Sequence, residues 1–314
     1  MQGFMMVYHT ILDALGNTPL IELNHMTTPD QARIVVKYEG LNVGGSIKTR
    51  TALQMIEGAE ARGIIDSDSI IVEPTSGNQG IGLALVCAVK GYKAVLIMPD
   101  SVSHERHELV RQYGAEVIMV HDEGDIGECI ARCIALANEM AEKDPHVYIP
   151  QQFENADNLV AHETGTAQEI LRDIDTSIDG FCAGFGTGGT ISGVGRVLRE
   201  VYPDLKIWVA EPEHAAILSG GEIGSHLQQG IGDGLIPAIF DKDIYDHICS
   251  ISDEEALETS RELARKEGIL CGISSGTNVA IARRLATHLG PGKTVVTILP
   301  DTGERYFSTP LFTA

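Results

Sequence analysis

IIVEPTSGNQGIGLAL (70–85) and FCAGFGTGGTISGVG (181–195) follow one grammar. Each runs from a short, continuously apolar stretch into glycine, serine and threonine, and then into a segment with helical spacing. An unbroken apolar run of this length suits a strand covered on both faces, as in a parallel sheet. The small polar residues at its end suit a loop at a strand C-terminus, where open α/β sheets build ligand crevices. Two such units predict two similar lobes, each offering a loop to a shared crevice.

The pattern extends outward from both. Strands are expected at 69–74, 93–99 (KAVLIMP), 115–120 (AEVIMV), 179–185, 206–212 (KIWVAEP), 247–252 (HICSIS), 269–274 (ILCGIS) and 294–300 (TVVTILP). Single helices separate most of them: 78–92 closing near Gly91, 103–114 stopping at Gly114, 127–143, 190–202, 253–268 and 277–290. Such alternation implies an α/β fold with mainly parallel sheets. The join between lobes is expected near YIPQQFENADN (148–158), where no Ser/Pro-rich tether appears. The boundaries expected are a smaller lobe of 41–155 with 1–12, and a larger one of 156–314 into which 13–40 crosses.

Composition narrows the function. The chain has 314 residues, 23 basic against 44 acidic, for a formal charge of −21. That balance repels phosphate backbones and argues against nucleic-acid binding. An anionic ligand must then be held by local backbone donors. No apolar run is long enough to span a membrane, and MQGFMMVYHT lacks the build of a signal peptide. The six cysteines form no CxxC pair. Cys129 and Cys133 stand one helical turn apart, but no zinc set is completed, and buried free thiols in a reducing cytoplasm are the expectation.

Six segments could carry chemistry. GFGTGGTISG (184–193) joins a strand to a helix through Gly186, Thr187, Gly188, Gly189 and Thr190. Backbone N–H groups there, with the helix dipole, make a phosphate cradle that needs no basic residue. It is neither a Walker loop nor a dinucleotide fingerprint. EPTSGNQG (73–80) packs Thr75, Ser76, Asn78 and Gln79 into one turn, equally readable as an ordinary helix cap and as a carboxylate site. GGSIKTR (44–50) sets Lys48 beside tight backbone; it is either a surface lysine or a buried, nucleophilic amine. LPDTGERY (299–306) and QGIGDGLIP (229–237) follow the same logic, with Asp233 either a turn former or an acid facing the crevice. QQFEN (151–155) adds Gln151, Gln152 and Asn155.

Taken in order, GGSIK, TSGN, QQFEN, GTGGT, GIG-x-G, GISSG and P-x-x-G-E-R-Y resemble the cysteine synthases (O-acetylserine sulfhydrylases) and, more widely, the cystathionine β-synthase catalytic core. The resemblance runs from LGNTPL (15–20) to ERYFST (304–309). It implies the tryptophan-synthase-β-like fold (fold type II), pyridoxal 5′-phosphate (PLP) as cofactor, a cytoplasmic homodimer and no metal. It implies that Lys48 carries the cofactor and moves the α-proton, that the 186–190 loop holds the phosphate, and that Asn78 bonds the 3′-oxygen. Thr302 falls where a hydroxyl meets the pyridine nitrogen, with Asp301 as a competitor for that place. Thr75, Ser76, Gln79 and Gln152 are expected at the substrate α-carboxylate.

The implied reaction is β-replacement through an aminoacrylate, making L-cysteine from O-acetylserine or another activated serine and sulfide. An alternative consumes cysteine, releasing hydrogen sulfide and forming serine, lanthionine or cystathionine. A dehydratase of the same fold fits QQFEN and GERY poorly, and a non-catalytic scaffold fits an intact Lys48 poorly. Three departures stand out. NVGGSIKTR replaces the usual NPGGSIKDR, TSGNQG replaces TSGNTG, and GIGDG replaces GIGAG. The last places a carboxylate, Asp233, where the family often has a methyl group, and Asp233 is expected to influence which nucleophile is accepted.

Overall fold

The computed structural model describes residues 7–124 and 126–313. Residues 1–6, assigned above to the smaller lobe, lie outside the described residues. Two sheets organise the rest. The larger contains β1 (Leu20–Glu22), β2 (Arg33–Tyr38), β7 (Gly180–Gly184), β8 (Lys206–Pro212), β9 (His247–Ile251) and β10 (Thr294–Leu299), in the order β1-β2-β10-β7-β8-β9. The smaller contains β3 (Ile70–Pro74), β4 (Lys93–Pro99), β5 (Glu116–Val120) and β6 (Val147–Tyr148), ordered β5-β4-β3-β6. Every pairing is parallel except β1 with β2.

Side chains alternate across each strand, so one strand feeds two cores. Ile34, Val36 and Val295 enter one core of the larger sheet, while Val35, Val296 and Ile298 enter the core on its other face. In the smaller sheet Ile71 and Leu96 pack on one side, Val72 and Ile97 on the other. Each fully buried aliphatic side chain contributes about 1.5–3 kcal/mol. Helices must cover both faces, which is why unbroken apolar strands alternate with them.

Two departures from expectation matter. β1 and β2 were hidden because RIVVKY carries two cations and reads as half-polar. Lys37 is nevertheless fully buried. Its ammonium donates to the Thr18 carbonyl (2.6 Å) and Glu169 (2.7 Å). Glu169 also receives Arg50 (2.7 and 2.8 Å), which turns to Glu39 as well (2.8 and 3.0 Å). Burial raises the Glu169 carboxyl, but the Arg50 and Lys37 partners overcome it and hold it at about 2. This closed set of two cations and two anions anchors the start of helix Lys48–Ala61 to the larger sheet.

The second departure corrects ILCGIS. It is not a strand: Cys271 makes only an isolated bridge to Thr302, and a helix begins at Ile273 behind Gly272. A Cβ on Gly272 would overlap the Asp301 carboxylate and sit 2.5 Å from the Tyr306 ring. Gly272 therefore marks a close crossing of two chain segments, and the serines after it open a helix.

Candidate active site

One cleft, about 750 Å³ including its open mouth, lies at the C-terminal ends of the central strands of both sheets. Its wall includes Lys48, Thr75, Ser76, Asn78, Gln79, Gln152, Gly186, Thr187, Gly188, Thr190 and Asp233. Gly189, within the same loop, opens the helix behind it. Thr302 is not in that wall. Its hydroxyl instead accepts Arg305 Nε at 3.4 Å. Ser274, in the first turn of helix Ile273–Leu289, lines the cleft. The GISSG motif held this signal, but reading ILCGIS as a strand concealed it.

Four helices start at this cleft, at Lys48, Asn78, Gly189 and Ile273, and in none does the N-cap residue supply a side-chain bond, although Thr187 Oγ1 accepts the Gly189 N–H (3.3 Å). The expected alternative for Thr75 and Ser76, ordinary capping, does not hold. Gly77 is the cap residue, Thr75 Oγ1 accepts Gly77 N–H (3.1 Å), and Ser76 Oγ donates to Asp233 Oδ1 (3.4 Å). Helix N-termini gathered at one cleft favour anions. In a chain of charge −21, Lys48 is the sole cation in this wall among the described residues.

The geometry of the 186–190 loop depends on its glycines. Gly188 adopts φ +78°. A Cβ on Gly189 would overlap Asn158 Oδ1, and one on Gly186 would lie 2.8 Å from the Gly230 carbonyl. Behind the loop, Asn158 Nδ2 donates to Thr187 Oγ1 (3.2 Å), and Thr190 Oγ1 lies 3.4 Å from His162 Nε2. Burial pushes His162 well below its usual range, so it is neutral. Neither Asn158 nor His162 stands in a recognisable motif, and the sequence reading missed both.

The glycine pair before Lys48 has positive φ at both members, +74° and +69°. It lets the chain pass beneath Arg305, which donates to the Gly44 carbonyl. Lys48 then opens the helix with its side chain in the cleft. Burial lowers its pKa, with Asp233 nearby opposing the shift. Burial raises the Asp233 carboxyl, and Lys48 opposes that in turn. Both effects move the pair toward neutrality.

Gln79 Oε1 accepts Thr51 Oγ1 (2.7 Å), while its buried Nε2 has no protein partner. Behind Gln152, Glu73 is wholly buried and accepts the backbone N–H of Gln151 (2.8 Å) and Gln152 (2.9 Å). Burial pushes its carboxyl up to about 7 against those two bonds. Gln151 is held at φ +59°, a conformation rare outside glycine. A second cavity adjoins the first through Ser76, Gly230, Ile231 and Asp233, so Asp233 stands in the wall common to both.

The donor set fits PLP. A glycine loop at a helix start, a half-buried amine and an unpaired carboxamide donor share one cleft. All six cysteines are free and buried, and no cluster able to hold a metal occurs among the described residues. No helix of the described residues is long and apolar enough to cross a membrane.

Comparison with known proteins agrees. The model of the family described as "Pyridoxal-phosphate dependent enzyme" matches residues 11–301. A cysteine synthase of Staphylococcus aureus is 49% identical over 304 residues, 96% of each chain. A hydrogen sulfide-producing enzyme of Fusobacterium nucleatum has a similar structure, with TM-score 0.90 and 42% identity over 96% of this chain and 100% of that one. An O-acetylserine-dependent cystathionine β-synthase of Helicobacter pylori gives TM-score 0.92 and 39% identity over 98% and 100%. The chain belongs to the pyridoxal-phosphate-dependent enzymes of fold type II, with cysteine synthases among its relatives.

Proposed function

We propose that this enzyme performs β-replacement on an activated serine, making L-cysteine from O-acetylserine and sulfide. The observation that carries the reading is one cleft joining a half-buried lysine, a glycine loop at a helix start and the TSGN turn at another. Bound PLP supplies an electron sink that lets an amino acid's α-proton and β-substituent depart. The backbone of Gly186–Thr190 holds its phosphate, Asn78 its 3′-oxygen, and the Ser274 hydroxyl, in place of Thr302, its ring nitrogen. Thr75, Ser76, Gln152 and the free Gln79 Nε2 hold the substrate α-carboxylate. Lys48 Nζ, kept toward neutrality by burial, accepts the proton from the substrate Cα and later returns it. The smaller sheet and its helices, residues 41–155, form the mobile lobe whose closure excludes water. The enzyme works as a cytoplasmic homodimer.

Purified enzyme given O-acetylserine and sulfide should form cysteine, and Lys48→Ala should lower kcat by about three orders of magnitude. Equal turnover by wild type and Lys48→Ala would refute the assignment.

A second reading is favoured by Asp233, which faces both cavities. There its carboxylate takes a proton from water or a thiol, and cysteine is the donor, with hydrogen sulfide released. Faster sulfide release from cysteine than cysteine formation from O-acetylserine would select this reading.

A further inference from the structure

Asn78 is held on both sides of its carboxamide by opposite charges. Arg305 Nη1 donates to its Oδ1 at 2.7 Å, and its Nδ2 donates to Asp301 Oδ2 at 2.6 Å. Arginine can only donate and an ionised carboxylate can only accept. The amide therefore has one permitted orientation. Turning it over would set N–H against guanidinium and oxygen against carboxylate.

The two partners are themselves fixed. Asp301 is fully buried, and Tyr306 OH donates to the same Oδ2 at 2.7 Å. Tyr306 receives Arg106 Nη2 at 2.8 Å, and Arg106, also buried, donates to Gln229 in the loop that carries Asp233. Arg305 is pinned by the Gly44 carbonyl and Thr302 Oγ1. Asp301 Oδ1, by contrast, is buried with no partner, and Gly272 supplies the space it occupies. A buried carboxylate with one oxygen unpaired is costly, and its two donors, Tyr306 OH and Asn78 Nδ2, both meet the other oxygen.

We propose that Asp301 and Arg305 are positioning residues that lock the Asn78 carboxamide, so that the group it turns to the cofactor's ring oxygen is always a hydrogen-bond donor. A carboxamide has two N–H bonds. One is taken by Asp301, which leaves the second for the cleft that Asn78 lines. A fixed donor favours the ionised form of an aromatic hydroxyl, and a flipped amide would favour the neutral form. The inference rests on the reading of Asn78 as the ring-oxygen partner.

The test uses holoenzyme and reads the ratio of the two visible and near-ultraviolet cofactor bands across pH, together with cofactor affinity by equilibrium dialysis. Asn78→Ala, Asp301→Asn and Arg305→Lys are compared, with circular dichroism as the folding control. Asp301→Asn and Arg305→Lys should each shift the band ratio in the same direction as Asn78→Ala, by about tenfold at the midpoint, the scale of one lost charge-assisted hydrogen bond. Adding Asp301→Asn to Asn78→Ala should change nothing more. If Asp301→Asn does not fold, Arg305→Lys carries the test alone. An unchanged ratio in folded Asp301→Asn and Arg305→Lys, beside a shifted Asn78→Ala, overturns the proposal only. Additive shifts in the double variant overturn it as well. An unchanged ratio in Asn78→Ala overturns both the proposal and the reading beneath it.

Discussion

Replacing Glu73 by glutamine removes a charge from the interior but spoils one of two backbone contacts. Glu73 accepts both Gln151 and Gln152 N–H groups, whereas a glutamine has one oxygen and would turn its amine toward one of them. At pH 5 that loss should make the variant less stable by about 1–3 kcal/mol. The wild type has a pH dependence the variant lacks. Below pH 4.5 the carboxyl is protonated in folded and unfolded chains alike. Between 4.5 and about 7 the unfolded chain has released the proton and the folded one has kept it, so stability falls as the pH rises. Above about 7 the full cost is felt, about 3 kcal/mol for a displacement from 4.5 to about 7. Urea unfolding of both proteins, followed by far-ultraviolet circular dichroism at pH 4.5, 6, 7 and 8, measures the gap between them. The gap should shrink by about 3 kcal/mol across the series and close or reverse at the top. A gap that stays constant, or widens with pH, would refute the reasoning.

Other perturbations follow from the same geometry. Gly189→Ala forces a methyl into Asn158 Oδ1 and should weaken cofactor binding more than about tenfold, read by equilibrium dialysis, with the fold kept. Arg50→Leu leaves buried Glu39 without a cation and Glu169 with Lys37 alone, and should cost about 3–5 kcal/mol, visible as a fall in melting temperature. Asp233→Ala should change the ratio of sulfide, thiol and water addition products; unchanged product ratios would reduce Asp233 to a turn residue.

Much of this site was readable from residue order. Strand-loop-helix units announce themselves through apolar runs that end in glycine and hydroxyl residues, because parallel strands need cover on both faces and their C-terminal loops need small residues. That logic reached the TSGN and GTGGT loops and the helices behind them. It reached Lys48 only through the company it keeps. It could not reach β2, since a lysine buried by distant glutamates looks polar in sequence. Nor could it place Ser274 in the cleft: that turns on where a helix starts, and Gly272 starts it for a tertiary reason, the approach of Asp301 and Tyr306. Asn158, His162 and Glu73 support the site from behind, where no local pattern identifies them.

The buried set of Lys37, Glu39, Arg50 and Glu169 also constrains how this protein can change over generations. Two cations face two anions with little solvent to absorb an imbalance. Any single neutral replacement leaves one charge uncompensated in the interior, and a route to an uncharged core must cross at least one such state. Because Arg50 lies two residues beyond Lys48 on the same helix, drift at these four positions would disturb the Lys48 amine first. The cluster should therefore vary only in concert, while the exposed face of the same helix remains free to vary residue by residue.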